Sequence, residues 1–97
     1  MALKISWTPQ AKRGLSNTIA YLEENWTKKE ILNLENTLNT LLSHISAEPL
    51  MYRSSLLASE LRRALVDKNN YLVYQIDSSS NEIRIIDFRS TRANPIH

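Results

Sequence analysis

The sequence has 97 residues, with 12 Lys and Arg against 10 Asp and Glu and no cysteine. That length supports one domain over 1–97, which buries roughly 65% of its unfolded surface and folds without metal or disulfide help. A composition of 42% hydrophobic and 23% charged residues excludes disorder, and the missing cysteine excludes a disulfide framework, a thiolate nucleophile and a thiolate metal site.

The first residues, MALKISWTP, contain no apolar stretch of signal-peptide length, and the apolar runs fall far short of the roughly 18 residues that span a bilayer. A cytoplasmic protein with no membrane partner is expected. Leu3, Ile5 and Trp7 alternate with Ala2, Lys4 and Ser6, which predicts a short first strand over 2–7. Thr8-Pro9 then starts a helix: the hydroxyl caps free N–H groups, and proline sits where its missing donor costs nothing. Ala11, Leu15, Ile19, Leu22 and Trp26 form one apolar stripe on a helix near 9–25. Gly14 inside that helix costs about 1 kcal/mol relative to alanine, and it marks either a close approach to the sheet or a tolerated blemish.

Thr27-Lys28-Lys29-Glu30 has the form of a capping box and opens a second helix near 28–46, with Ile31, Leu34, Leu38, Leu41, Leu42 and Ile45 as its stripe. So short a connection folds the two helices back as an antiparallel hairpin. Glu48-Pro49 stops the second helix, and 50–59 has no clear period and reads as a loop. Three alternating segments follow. Leu61, Arg63 and Leu65 alternate with Arg62, Ala64 and Val66; Tyr71, Val73 and Gln75 with Leu72, Tyr74 and Ile76; Ile83, Ile85, Asp87 and Arg89 with Arg84, Ile86 and Phe88. Short connectors rich in turn formers, Asp67 to Asn70 and Asp77 to Asn81, make these pairings antiparallel hairpins. The predicted class is α+β, in the order β-α-α-β-β-β, with an N-terminal helical hairpin packed on a small, mostly antiparallel four-stranded sheet whose other face stays partly open.

Charge is distributed unevenly. Residues 1–48 carry five basic and five acidic groups, whereas 49–97 carry seven basic, six of them arginine, against five acidic. Arginine offers a rigid, permanent fork for phosphates, carboxylates and aromatic faces. The other chemistries have little support. One glycine leaves no Gly-rich phosphate loop, His44 and His97 share no ligand spacing, and no serine sits in a nucleophile elbow. Neither metal nor cofactor is expected. What remains on the sheet is Arg62, Arg63, Lys68, Tyr71, Tyr74, Arg84, Arg89 and Arg92. Arginines with tyrosines can grip an RNA backbone and stack bases, or grip an acidic protein surface. The plainer alternative, tyrosines in the core and arginines in solvent, stays open beside them.

The element order, the start Trp7-Thr8-Pro9-Gln10-Ala11, the spacing from Arg62 or Arg63 to Tyr71 and Tyr74, and the ending Asp87-Phe88-Arg89-Ser90-Thr91-Arg92-Ala93-Asn94-Pro95 resemble the RelE/ParE superfamily of bacterial toxins. The resemblance implies a toxin of a type II toxin–antitoxin pair, of the plasmid-stabilisation kind, neutralised by a cognate antitoxin and meeting operator DNA only through it. It implies one of two activities. ParE-like members poison DNA gyrase, a reading in which the chain is no enzyme. Arg62, Arg63, Tyr71, Tyr74, Arg84, Arg89, Arg92 and Asn94 are then the residues expected to meet the target or the antitoxin. RelE-like members cleave ribosome-bound mRNA, which needs a base, cations for the phosphorane and an acid. The candidates for those roles are Glu60, Arg63, Arg89, Arg92 and His97. No tyrosine follows Tyr74, and His97 is the last residue, so the ParE-like ending is the better match. A binding module that has lost toxicity is the third reading.

Overall fold

Segments with period-two patterning form strands, and segments with apolar residues three and four apart form helices. The computed structural model describes residues 3–54 and 61–91. Along the chain it places β1 (Lys4–Trp7), α1 (Pro9–Asn25), α2 (Lys28–Ala47), a one-turn 3-10 helix (Pro49–Met51), β2 (Arg53–Ser54), β3 (Leu61–Asp67), β4 (Asn70–Asp77) and β5 (Glu82–Ser90). The sheet order is β1-β5-β4-β3-β2, with β1 parallel to β5 and every other pairing antiparallel. This is the expected α+β arrangement with one correction. A fifth strand, β2, joins the edge of β3 from within the stretch read as loop; its two residues are too few to carry a period. The candidate residues Glu60, Arg92, Asn94 and His97 lie outside the described residues.

Thr8 ties the helical layer to the sheet. Its hydroxyl accepts from the Ala11 amide at 3.2 Å, capping α1, and lies 3.0 and 3.1 Å from the Ile85 and Ile86 carbonyls to which it donates. Six residues on, α1 crosses β5 so closely that a Cβ on Gly14 would lie 2.1 Å from the Phe88 carbonyl oxygen. Gly14 therefore marks a close approach. At the start of α2 the capping box forms: the Thr27 amide donates to Glu30 Oε2 at 3.0 Å, and the Thr27 hydroxyl bonds the same oxygen, holding the Glu30 carboxyl below its usual range. At its far end Ser46 bonds the Leu3 carbonyl at 2.5 Å, pinning the chain entry to β1.

Leu34, Leu38, Leu41 and Ile45 of α2 are buried against Ala64, Val66, Leu72, Tyr74, Ile83, Ile85 and Phe88 of the sheet. The α1 stripe is covered less well. Ala11 is fully buried and Leu15, Ile19 and Leu22 pack on the core, but Trp26, the last member of the stripe, is 55% exposed at the hairpin tip. A second correction concerns β5. Tyr74 stands opposite Ile85 and Val73 opposite Asp87, so Ile86 is an extra residue in the ladder. The bulge reverses the alternation: Phe88 joins Ile83 and Ile85 under the helices, and Asp87 and Arg89 turn to the far face with Arg84. Because Thr8 holds the two carbonyls at this bulge, Thr8→Val is expected to lower stability by about 1–2 kcal/mol in urea unfolding, with the m-value unchanged.

Candidate functional site

Side chains of a strand alternate between faces, so neighbours in sequence part company. Arg62 and Tyr74 lie opposite each other in the β3–β4 ladder on the helix side. There the Arg62 guanidinium donates to the Tyr52 carbonyl at 2.7 Å and the Tyr74 hydroxyl to the Pro49 carbonyl at 2.5 Å. Arg63 and Tyr71 lie on the far face, the guanidinium 4.2 Å from the centre of the tyrosine ring. The sequence-chosen arginines and tyrosines thus form two groups, not one surface.

The far face is also less open than expected: Tyr71 and Val73 are fully buried. With Arg63 over its ring, Tyr71 is held by a cation–π contact of about 0.5–2 kcal/mol and is not a free stacking platform. Arg89 lies 3.7 Å from the carboxylate of Asp87, which is itself buried and accepts from the Phe88 amide at 3.0 Å. Arg84 meets Glu82 at 2.8 Å and Asp77 at 3.2 Å. The Ser79 hydroxyl, then that of Ser80 and the Arg84 guanidinium, hold the Asp77 carboxyl at about 2. Lys68 is exposed in the β3–β4 turn, and His44 is exposed on α2.

A feature with no sequence signal lies between the helices and the sheet. A groove of about 980 Å³ runs beneath the helical hairpin to the end of β5 and the β3–β4 turn. Leu22, Leu34 and Phe88 give it apolar lining, and Tyr21 and Trp26, 49% and 55% exposed, stand on its hairpin side. Thr91 closes the sheet beside it, its amide donating to the Asn69 carbonyl at 2.8 Å and its hydroxyl to the Lys68 carbonyl at 2.9 Å.

The model of one family, the ParE toxin of the type II toxin–antitoxin system parDE, fits residues 5–95. The chain belongs to the ParE toxin family. No curated protein matches it. Among solved structures, it is similar to a chain of the RelBE2 toxin–antitoxin complex of Mycobacterium tuberculosis at 16% identity and a TM-score of 0.65, covering 93% of this chain and 99% of that one. A mutant of the E. coli toxin RelE in the free state gives 14% and 0.65 over 99% and 90%. A YoeB dimer from Staphylococcus aureus gives 21% and 0.59 over 92% and 97%. At these identities the likeness establishes the shared fold. Among the described residues, no helix is long and apolar enough to cross a membrane.

One titration tests the placement of Tyr74 in this ParE-family chain. Burial raises its phenol from 10.0 to about 12, with the Arg62 charge opposing the rise. A group raised in the folded state contributes stability that is complete below pH 10 and is lost as pH climbs through about 12. Stability is therefore expected to fall between those values, and Tyr74→Phe to remove that part of the slope, as followed by tyrosinate absorbance and circular dichroism.

Proposed function

We propose that this chain is the toxin of a plasmid-stabilising pair, that it arrests growth by poisoning DNA gyrase, and that a cognate antitoxin encoded beside it neutralises it. The observation that carries the reading is the fit of residues 5–95 to the ParE family. The sheet geometry supports it over cleavage of RNA. Cutting a phosphodiester needs side chains free to take up and give up protons, whereas arginine stays protonated near neutrality. The described groups able to exchange a proton near the arginines are committed elsewhere: Tyr71 is buried beneath Arg63, Asp87 is buried against Arg89 and the Phe88 amide, and Tyr74 is turned to the helix side and raised to about 12. The arginine-bearing far face then serves recognition of a large partner, and Arg92 and Asn94 extend that role in this proposal.

Induced expression is expected to cause filamentation and a DNA-damage response, relieved by co-expressing the antitoxin. Purified protein is expected to trap gyrase–DNA cleavage complexes. Arg92→Ala should abolish the arrest with the circular dichroism spectrum unchanged. Codon-positioned cleavage of ribosome-bound messages, with gyrase unaffected, would replace this reading with the nuclease. Unhindered growth at verified soluble levels would leave a binding module.

A further inference from the structure

Asp87 carries a charge where the fold does not need one. The residue is buried on the far face of the sheet, and burying a charge costs free energy that an uncharged acceptor would avoid. The backbone beside the bulge asks only for an acceptor: the Phe88 amide donates to Asp87 Oδ1 at 3.0 Å, and the oxygen of an asparagine would serve it equally well. The charge has another use. We propose that Asp87 is a positioning residue, whose carboxylate holds the Arg89 guanidinium in the orientation with which the far face meets its target. This rests on the recognition role given to that face above.

The strand register brings the groups together. Asp87 stands opposite Val73 and Arg89 opposite Tyr71 in the β4–β5 ladder, and Arg63 stands opposite Val73 in the β3–β4 ladder. The Tyr71 ring thus has Arg89 as its cross-strand neighbour and the Arg63 guanidinium 4.2 Å from its centre. Two like charges share the surroundings of one buried ring, and the Asp87 carboxylate, in the cross-strand row of Arg63, offsets their repulsion. Arg89 Nη1 lies 3.7 Å from Asp87 Oδ2, a contact made by charge and not by a short hydrogen bond. The Arg89 side chain is 32% exposed, so beside a neutral residue 87 it would hydrate its charge and the fold would survive. What it would lose is a fixed orientation. Having to order a rotamer-rich arginine on binding weakens association about fivefold.

Asp87→Asn separates the two jobs of this carboxylate. It keeps the acceptor for the Phe88 amide and raises the net charge by one, which by charge alone would strengthen attraction to an anionic gyrase–DNA complex. Positioning demands the opposite sign. The concentration for half-maximal trapping of cleavage complexes should rise about fivefold, with the thermal midpoint unchanged. Glu23→Gln, an equal change of charge on the exposed surface of α1, should not raise it. Arg89→Ala should raise it at least about tenfold, and adding Asp87→Asn to that variant should change nothing further. In the unaltered chain, the Arg89 Nε proton should exchange with water more slowly than that of the exposed Arg13, a measurement that requires no variant to fold. Undiminished trapping by Asp87→Asn, an equal loss in the Arg89→Ala background, a lowered midpoint, or Arg89 exchange as fast as that of Arg13 each overturns the positioning role and leaves the gyrase reading standing. Wild-type protein that traps no complex overturns both.

Discussion

Gly14→Ala is expected to lower the thermal midpoint by roughly 15 °C, from a loss of about 3 kcal/mol or more. By propensity alone the exchange stabilises a helix by about 1 kcal/mol, so the sign of the effect is diagnostic. The added Cβ would stand 2.1 Å from the Phe88 carbonyl oxygen and 3.1 Å from the carbonyl carbon. Both belong to the main chain of β5, which is fixed by its ladder to β4. No rotamer change makes room, so α1 must move off the sheet as a body. That displacement pulls on the Thr8 bonds at the bulge and shifts the α1 wall of the groove. Truncating the neighbouring side chain is no remedy: Gly14→Ala/Phe88→Ala should be less stable than either single variant. Recovery of stability in the double variant, or a stabilised single one, would show that the approach of α1 to β5 is looser than described.

Sequence patterning reached most of this fold because local signals and tertiary structure agree in it. Thr8-Pro9, Thr27 to Glu30 and Glu48-Pro49 bound the helices where caps and proline place them. The strands alternate, and Gly14 pointed to the crossing it serves. The site was less legible, for three reasons. Alternation alone separates Arg62 from Arg63 and Tyr71 from Tyr74, since residues one or three apart on a strand face opposite ways. Grouping them by chemistry overrode that parity. The bulge at Ile86 then reversed the alternation within β5, and it rests on the Thr8 contacts, made from 77 and 78 residues away. Finally, the groove depends on how far the hairpin outruns its packing. Trp26 continues the α1 stripe in sequence, and only the tertiary placement of Leu22 as the last packed member leaves it exposed.

Leu38→Ala is expected to cost about 2–5 kcal/mol, whereas Leu32→Ala, six residues earlier on the same helix, should stay within about 0.5 kcal/mol. Leu38 is 6% exposed in the middle of the buried stripe and Leu32 is 59% exposed. The helix, the residue type and the propensity change are shared, so the difference isolates burial. A domain of this size has about 5–10 kcal/mol of stability in total. Losing so large a share of it raises the unfolded population that proteases remove. Growth arrest by Leu38→Ala should therefore weaken in proportion to protein level, with the effect per folded molecule unchanged. Co-expressed antitoxin binds only the folded state. At about a hundredfold excess over its Kd it adds about 2.7 kcal/mol, which should restore the variant's abundance. The purified variant complex should then melt close to the wild-type toxin alone, and below the wild-type complex. If Leu38→Ala instead kept its midpoint and its abundance yet lost growth arrest, Leu38 would belong to a contact surface, and the α2 stripe would face a partner in place of the sheet.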